Sequence, residues 1–139
     1  MAGNNLKIGG GGFHHVAMRV KNFDAVVKFY KEALGFREKI TWGEGDKRAV
    51  MLDTGDGNYL EIFAGGTEGE KPEGTVLHIA FRSNDCAAAI ECARAAGAEV
   101  TIEPKELEIK GSFTAPVKLA FCKGLGGEII EFFESKGDL

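Results

Sequence analysis

His15-Val16-Ala17-Met18-Arg19 and His78-Ile79-Ala80-Phe81-Arg82 are two renderings of one phrase. Each has a second shared phrase downstream of it, Gly57-Asn58-Tyr59-Leu60-Glu61-Ile62-Phe63 in the first case and Gly127-Glu128-Ile129-Ile130-Glu131-Phe132-Phe133 in the other. From the histidine to the glutamate is 46 residues in the first copy and 53 in the second. A period this long indicates a duplicated supersecondary unit. Each half then offers one imidazole and one carboxylate, and two His with two Glu suit a divalent transition metal.

Working outward from these phrases, residues 13–20 alternate as a strand does. His15, Ala17 and Arg19 share one face and Val16, Met18 and Val20 the other. Asn22 or Asp24 can cap a helix whose apolar stripe is Val26, Val27, Phe29, Tyr30, Ala33 and Leu34, and Gly35 stops it. Strands are expected at 37–42, 48–53 and 59–64, divided by turns rich in Gly and Asp. The first half therefore reads β-α-β-β-β.

Residues 65–74 read as a linker, after which the order repeats. A strand at 75–82 leads to Asn84-Asp85, an Ala-rich helix ending before Gly97, and strands at 99–102, 117–122 and 128–133. The extra length of this half falls at 103–116, which reads as an enlarged loop and a candidate flap. In the glutamate strands Tyr59, Glu61 and Phe63 share a face, as do Ile129, Glu131 and Phe133. Leu60, Ile62, Ile130 and Phe132 are left to pack on helices, so all four candidate ligands point away from the helices. By the same parity His14 points opposite to His15 and reads as a partly exposed bystander.

The domain boundaries follow: a flexible leader at 1–12, one domain at 13–134 with modules at about 13–64 and 75–134, and a tail at 135–139. With 139 residues, 44% hydrophobic and 27% charged, the chain has the composition of an ordinary globular domain. No apolar run approaches the ~20 residues of a membrane span, and residues 1–12 lack the pattern of a secretory signal. A net charge of −4 with dispersed Lys and Arg argues against nucleic acid. Cys86, Cys92 and Cys122 form no CxxC pair and suit a reducing cytoplasm. Cys86 and Cys92, in the Ala-rich helix, read as small core residues.

On the four residues His15, Glu61, His78 and Glu131, in phase with the duplication, residues 13–134 resemble the vicinal oxygen chelate superfamily. That group includes glyoxalase I, methylmalonyl-CoA epimerase, extradiol dioxygenases, fosfomycin-resistance enzymes and bleomycin-binding proteins. The resemblance implies an α+β fold of two βαβββ modules, forming a cupped, partly open eight-stranded barrel with the helices outside. It implies one divalent metal per site (Ni, Zn, Co or Mn) on those four residues, and a homodimer. By analogy with glyoxalase I it implies proton transfer through a metal-bound enediolate on a small 2-oxoaldehyde thiol adduct, with Glu131 the first choice of base and Glu61 the second. Arg19 and Arg82, four residues beyond each histidine, are candidates to hold a substrate carboxylate or to pair with a Glu. Trp42, Phe63 and Phe113 are candidate substrate contacts.

Other members of the group offer alternatives. The short Ala64-Gly65-Gly66 segment lacks the polar residue expected for holding glutathione, and Gly126-Gly127 also fits an epimerase acting on a CoA thioester. An extradiol dioxygenase would leave Glu61 surplus to a two-His, one-carboxylate iron site. A non-enzymatic, antibiotic-binding protein would use an aromatic cleft, for which Trp42, Tyr59, Phe63 and Phe113 are available.

Overall fold

The computed structural model describes residues 4–7, 9, 12–69, 76–111 and 113–137. The chain divides into two compact units, residues 1–67 and 68–139. In the first, β1 (His15–Arg19) leads into α1 (Phe23–Lys28), followed by β2 (Arg37–Trp42), β3 (Ala49–Asp53) and β4 (Tyr59–Phe63). In the second, β5 (Ile79–Arg82) leads into α2 (Cys86–Ala95), followed by β6 (Glu99–Lys110), β7 (Thr114–Lys123) and β8 (Ile129–Ser135). Each unit is thus βαβββ. The strand orders match, β1-β4-β3-β2 and β5-β8-β7-β6. In both sheets the first strand runs parallel to the last and the other pairings are antiparallel. The fold is α+β, built of two open four-stranded mixed sheets.

Alternation decides which face of each sheet is covered. Val20, Val26, Val50, Leu52, Leu60 and Ile62 form the core of the first unit, each at most 1% exposed. Cys86, Ile90, Ala93, Ala120, Cys122 and Ile130 do the same in the second. Burial and then the Glu128 charge push the Cys122 thiol up to about 11, which makes it an inert core group.

The first helix departs from a regular one. After α1 the chain widens into a π-helical turn over Phe29–Ala33. The wider turn buries the adjacent rings of Phe29 and Tyr30, and Tyr30 stacks on Phe36 at 5.4 Å between centroids. The Phe36 N–H donates to the Tyr30 carbonyl (3.0 Å), a closure that needs Gly35 in the left-handed region, where its φ is +72°. Asn22 precedes α1 but makes no side-chain cap. Asp85 is a true cap, accepting from the Ala88 N–H at 3.0 Å. The start of α2 is also tied to β8: Glu134 accepts from Lys136 Nζ (2.6 Å) and the Cys86 N–H (3.0 Å), which together hold its carboxyl down at about 2.

Two expectations are corrected here. Residues 103–116 are not an enlarged loop. β6 and β7 form one long hairpin that pairs out to Lys110 and Thr114. Leu107 and Ile109 keep the period-2 pattern through a charged stretch, and Pro104, which has no N–H to donate, falls within the register shift between Ile102 and Lys105. Cys92 is exposed, unlike buried Cys86. Six residues advance a helix by about 600°, which turns Cys92 off the stripe of Cys86, Ile90 and Ala93. The expected linker at 65–74 and leader at 1–12 lie partly outside the described residues.

Gly66 answers to packing. A Cβ there would lie 2.8 Å from the backbone of Arg19 and Val20, because the Gly66 N–H donates to the Val20 carbonyl where the chain passes the end of β1. A larger residue is excluded at that point, whatever the site beside it binds.

Candidate active site

Register brings the repeated phrases together. Ala17 of β1 pairs with Glu61 of β4, and Ala80 of β5 pairs with Glu131 of β8. In each unit the histidine stands two residues before that alanine, on the same face and diagonal to the glutamate. A diagonal of about 7–8 Å between backbones is within reach of two long side chains. His15 Nε2 lies 3.9 Å from Glu61 Oε1, and His78 Nε2 lies 3.0 Å from Glu131 Oε2.

Each pair sets an exposed imidazole over a buried carboxylate. The histidine side chains are 40% and 39% exposed, whereas those of Glu61 and Glu131 are 11% and 8%. Burial raises the Glu131 carboxyl above the ordinary range, with the charge and hydrogen bond of His78 pulling the other way. Among the described residues each of these carboxylates is kept short of water with an imidazole beside it, and a cation would complete its surroundings. The donor set of neutral imidazole and carboxylate fits Zn²⁺, Ni²⁺, Co²⁺ or Mn²⁺. Each unit assembles two donors, and among the described residues no three His, Cys, Asp or Glu side chains are gathered into one group.

A second row crosses the first sheet on the same face. Arg19 pairs with Phe63, Phe63 with Ala49, and Ala49 with Trp42. Ala49 is small enough for the Trp42 ring to meet Phe63 edge-on at 6.1 Å. The Arg19 guanidinium lies 5.1 Å from the Phe63 ring centre and donates to the Ala64 carbonyl at 2.8 Å. Arg19, Phe63 and Trp42 therefore form a continuous cationic and aromatic strip beside His15 and Glu61. Among the described residues Arg19 rests on the Phe63 ring and the Ala64 carbonyl and forms no ion pair with a Glu. Arg82 is exposed on β5, and Phe113 is 56% exposed in the connection between β6 and β7. Both belong to the second unit.

One residue that parity had set aside is in contact with a candidate ligand. His14 immediately precedes β1, and its Nδ1 is 3.0 Å from His15 Nδ1. The adjacency of two histidines was the available signal.

Comparison with known proteins agrees with the duplicated topology. The profile of the "Glyoxalase/Bleomycin resistance protein/Dioxygenase superfamily" matches residues 12–132. The chain belongs to this superfamily. A lactoylglutathione lyase of Haemophilus influenzae is 31% identical over 128 residues, covering 88% of this chain and 91% of the relative. The uncharacterized protein YwbC of Bacillus subtilis is 31% identical over 124 residues, covering 86% and 94%. Among solved structures, the trypanothione-dependent glyoxalase I of Leishmania major is 25% identical with a TM-score of 0.66, covering 89% of this chain and 86% of that one. No helix among the described residues of this superfamily member is long and apolar enough to cross a membrane.

Proposed function

We propose that this superfamily member is a metal-dependent lyase of the glyoxalase I type, acting on the thiol adduct of a small 2-oxoaldehyde. The observation that carries the reading is the recurrence of one His–Glu pair at the same register position in both units. The lactoylglutathione lyase of H. influenzae, 31% identical, supports it. His15, Glu61, His78 and Glu131 would together hold one divalent ion per site, closed within one chain or between two copies of a homodimer. Held by these residues, a divalent ion would supply Lewis acidity toward the substrate carbonyl and the charge that develops on its oxygen.

The chain's own residues supply the proton transfer. The substrate, R–CO–CH(OH)–SR′, differs from its product, R–CH(OH)–CO–SR′, by one proton moved between adjacent carbons and the hydroxyl proton moved between their two oxygens. Glu131 takes the proton from the carbon bearing sulfur, and the C–H electron pair moves toward the neighbouring carbonyl. Glu131 then returns the proton to that neighbouring carbon, and the hydroxyl proton passes from the oxygen on the sulfur-bearing carbon to the oxygen beside it. A carboxyl raised by burial suits a group that must both accept and release a proton. Glu61, in the equivalent position, is the second candidate. Phe63 and Trp42 offer apolar contact for R, and Arg19 offers a cation for a carboxylate of the thiol carrier. The cytoplasm, where low-molecular-weight thiols stay reduced, is the compartment we propose.

An acyl-CoA epimerase would use the same residues to remove and return the proton at a single carbon. The two are separated by offering Ni²⁺-loaded protein the hemithioacetal of methylglyoxal with glutathione, beside a chiral 2-methylacyl-CoA in deuterated water. Formation of a 2-hydroxyacyl thioester, with no deuterium entering the CoA ester, is expected. Deuterium at the α-carbon of the CoA ester, without turnover of the hemithioacetal, would replace the lyase reading by the epimerase. Turnover of neither would overturn both.

A further inference from the structure

His14 and His15 stand with their Nδ1 atoms 3.0 Å apart. Two neutral imidazoles make that contact only if one of the two atoms carries a proton and the other a lone pair. If His14 were the donor, His15 would carry its own proton on Nε2, facing Glu61. An N–H facing a buried carboxylate closes to about 2.8 Å. The observed separation of His15 Nε2 from Glu61 is 3.9 Å, outside hydrogen-bond range. The second unit shows the contrast: His78 Nε2 has closed to 3.0 Å on Glu131. A lone pair on His15 Nε2, which a carboxylate does not attract, accounts for the wider gap. The His15 proton then sits on Nδ1 and is donated to His14.

The His14 ring is itself held. It lies 5.2 Å from the Tyr59 ring, tilted by 51°, and its carbonyl accepts the Tyr59 N–H at 2.8 Å, extending the β1–β4 pairing by one residue. The corresponding position in the second unit is Leu77, which is exposed, and the His78 ring is steadied instead by edge-on contact with Phe121 at 5.3 Å. Among the described residues the device is found in the first repeat.

We propose that His14 is a positioning residue: by accepting the Nδ1 proton of His15 it keeps the Nε2 lone pair of His15 free and aimed past Glu61, ready to ligate a divalent metal. The proposal rests on the metal reading above. It adds that the first repeat carries a built-in tautomer lock, which the second lacks. Outer partners of this kind are worth about 10–100-fold in metal affinity.

The test uses two variants. His14→Phe keeps a ring against Tyr59 but offers no acceptor, whereas His14→Asn places a carbonyl oxygen near the position of Nδ1 and can still accept. Long-range ¹H–¹⁵N correlation spectra of the metal-free, histidine-labelled protein in mildly alkaline buffer report the tautomer of His15. The Nδ1–H form is expected in wild type and His14→Asn, with a shift toward Nε2–H in His14→Phe. Competition with a chromophoric chelator for Ni²⁺ should show His14→Phe weakened by about 10–100-fold and His14→Asn close to wild type. An Nε2–H tautomer in wild type would overturn the proposal. So would a His14→Phe protein with unchanged tautomer and affinity. Failure of the wild type to take up Ni²⁺ would overturn the metal reading instead, and the metal-free spectra would still decide the role of His14.

Discussion

Glu131→Gln is expected to lower turnover of a hemithioacetal by about 10²–10⁴-fold, the range that general acid–base catalysis contributes, while the protein stays folded. Glutamine keeps the shape of the side chain and can still accept the hydrogen bond from His78 Nε2, but it cannot carry a proton between carbons. Stability should move the other way. Burial raises the Glu131 carboxyl above its ordinary value, so its charged form costs the fold stability at neutral pH. That cost fades as pH falls through the raised value and the group becomes neutral in the folded state. The Tm of metal-free Glu131→Gln should therefore exceed wild type most at neutral pH, with the gain shrinking in acid. Loss of activity with a higher Tm would mark a residue kept for chemistry at the expense of stability. Near-normal turnover would move the base to Glu61.

Ile62→Ala is expected to cost about 2–5 kcal/mol, the range for emptying a fully buried aliphatic site. Ile62 is 0% exposed, pairs in register with Met18 and Val50, and lies on the covered face of β4, the strand on which α1 packs. Against a total of roughly 5–15 kcal/mol for a domain, such a loss brings the protein near its threshold. Urea unfolding should show a lower midpoint at an unchanged slope. The neighbouring residue Glu61 points to the opposite face, so metal uptake by the folded fraction should persist. A cost below about 1 kcal/mol, as for a surface site, would mean that this face of β4 is not the core it is taken to be. The two substitutions thus separate the faces of the glutamate strands, one side carrying stability and the other chemistry.

Much of this was legible from alternation alone. The parity of residues 15–19 and 59–63 placed His15 and Glu61 on one face and Leu60 and Ile62 on the other, because a period of two leaves no third choice. Gly35 and Asp85 announced the ends of their helices through conformational and capping chemistry that belongs to few residue types. The failures have equally local causes. Charges at Glu103, Lys105 and Glu106 and a proline at 104 disguised a hairpin as a loop, since an exposed strand can be polar and a bulge can absorb a proline. Cys92 was misplaced because an Ala-rich helix marks its buried stripe weakly. The contact of His14 with His15 was not legible, because it depends on how two adjacent rings turn rather than on strand parity. The placing of Arg19 beside Phe63 and Trp42 was not legible, because it depends on pairing between distant strands.

Metal content per chain tests the central claim most directly. Purified, untagged wild-type protein and His78→Ala should be reconstituted with Ni²⁺, Zn²⁺ or Mn²⁺, passed over a desalting column and assayed by elemental analysis. About one tightly held ion per chain in wild type, lost from His78→Ala while its circular dichroism is unchanged, is the result expected for a set of two imidazoles and two carboxylates. No stoichiometric ion in either protein would make the two His–Glu pairs structural. The strip of Arg19, Phe63 and Trp42 would then be the place to look for a bound small molecule.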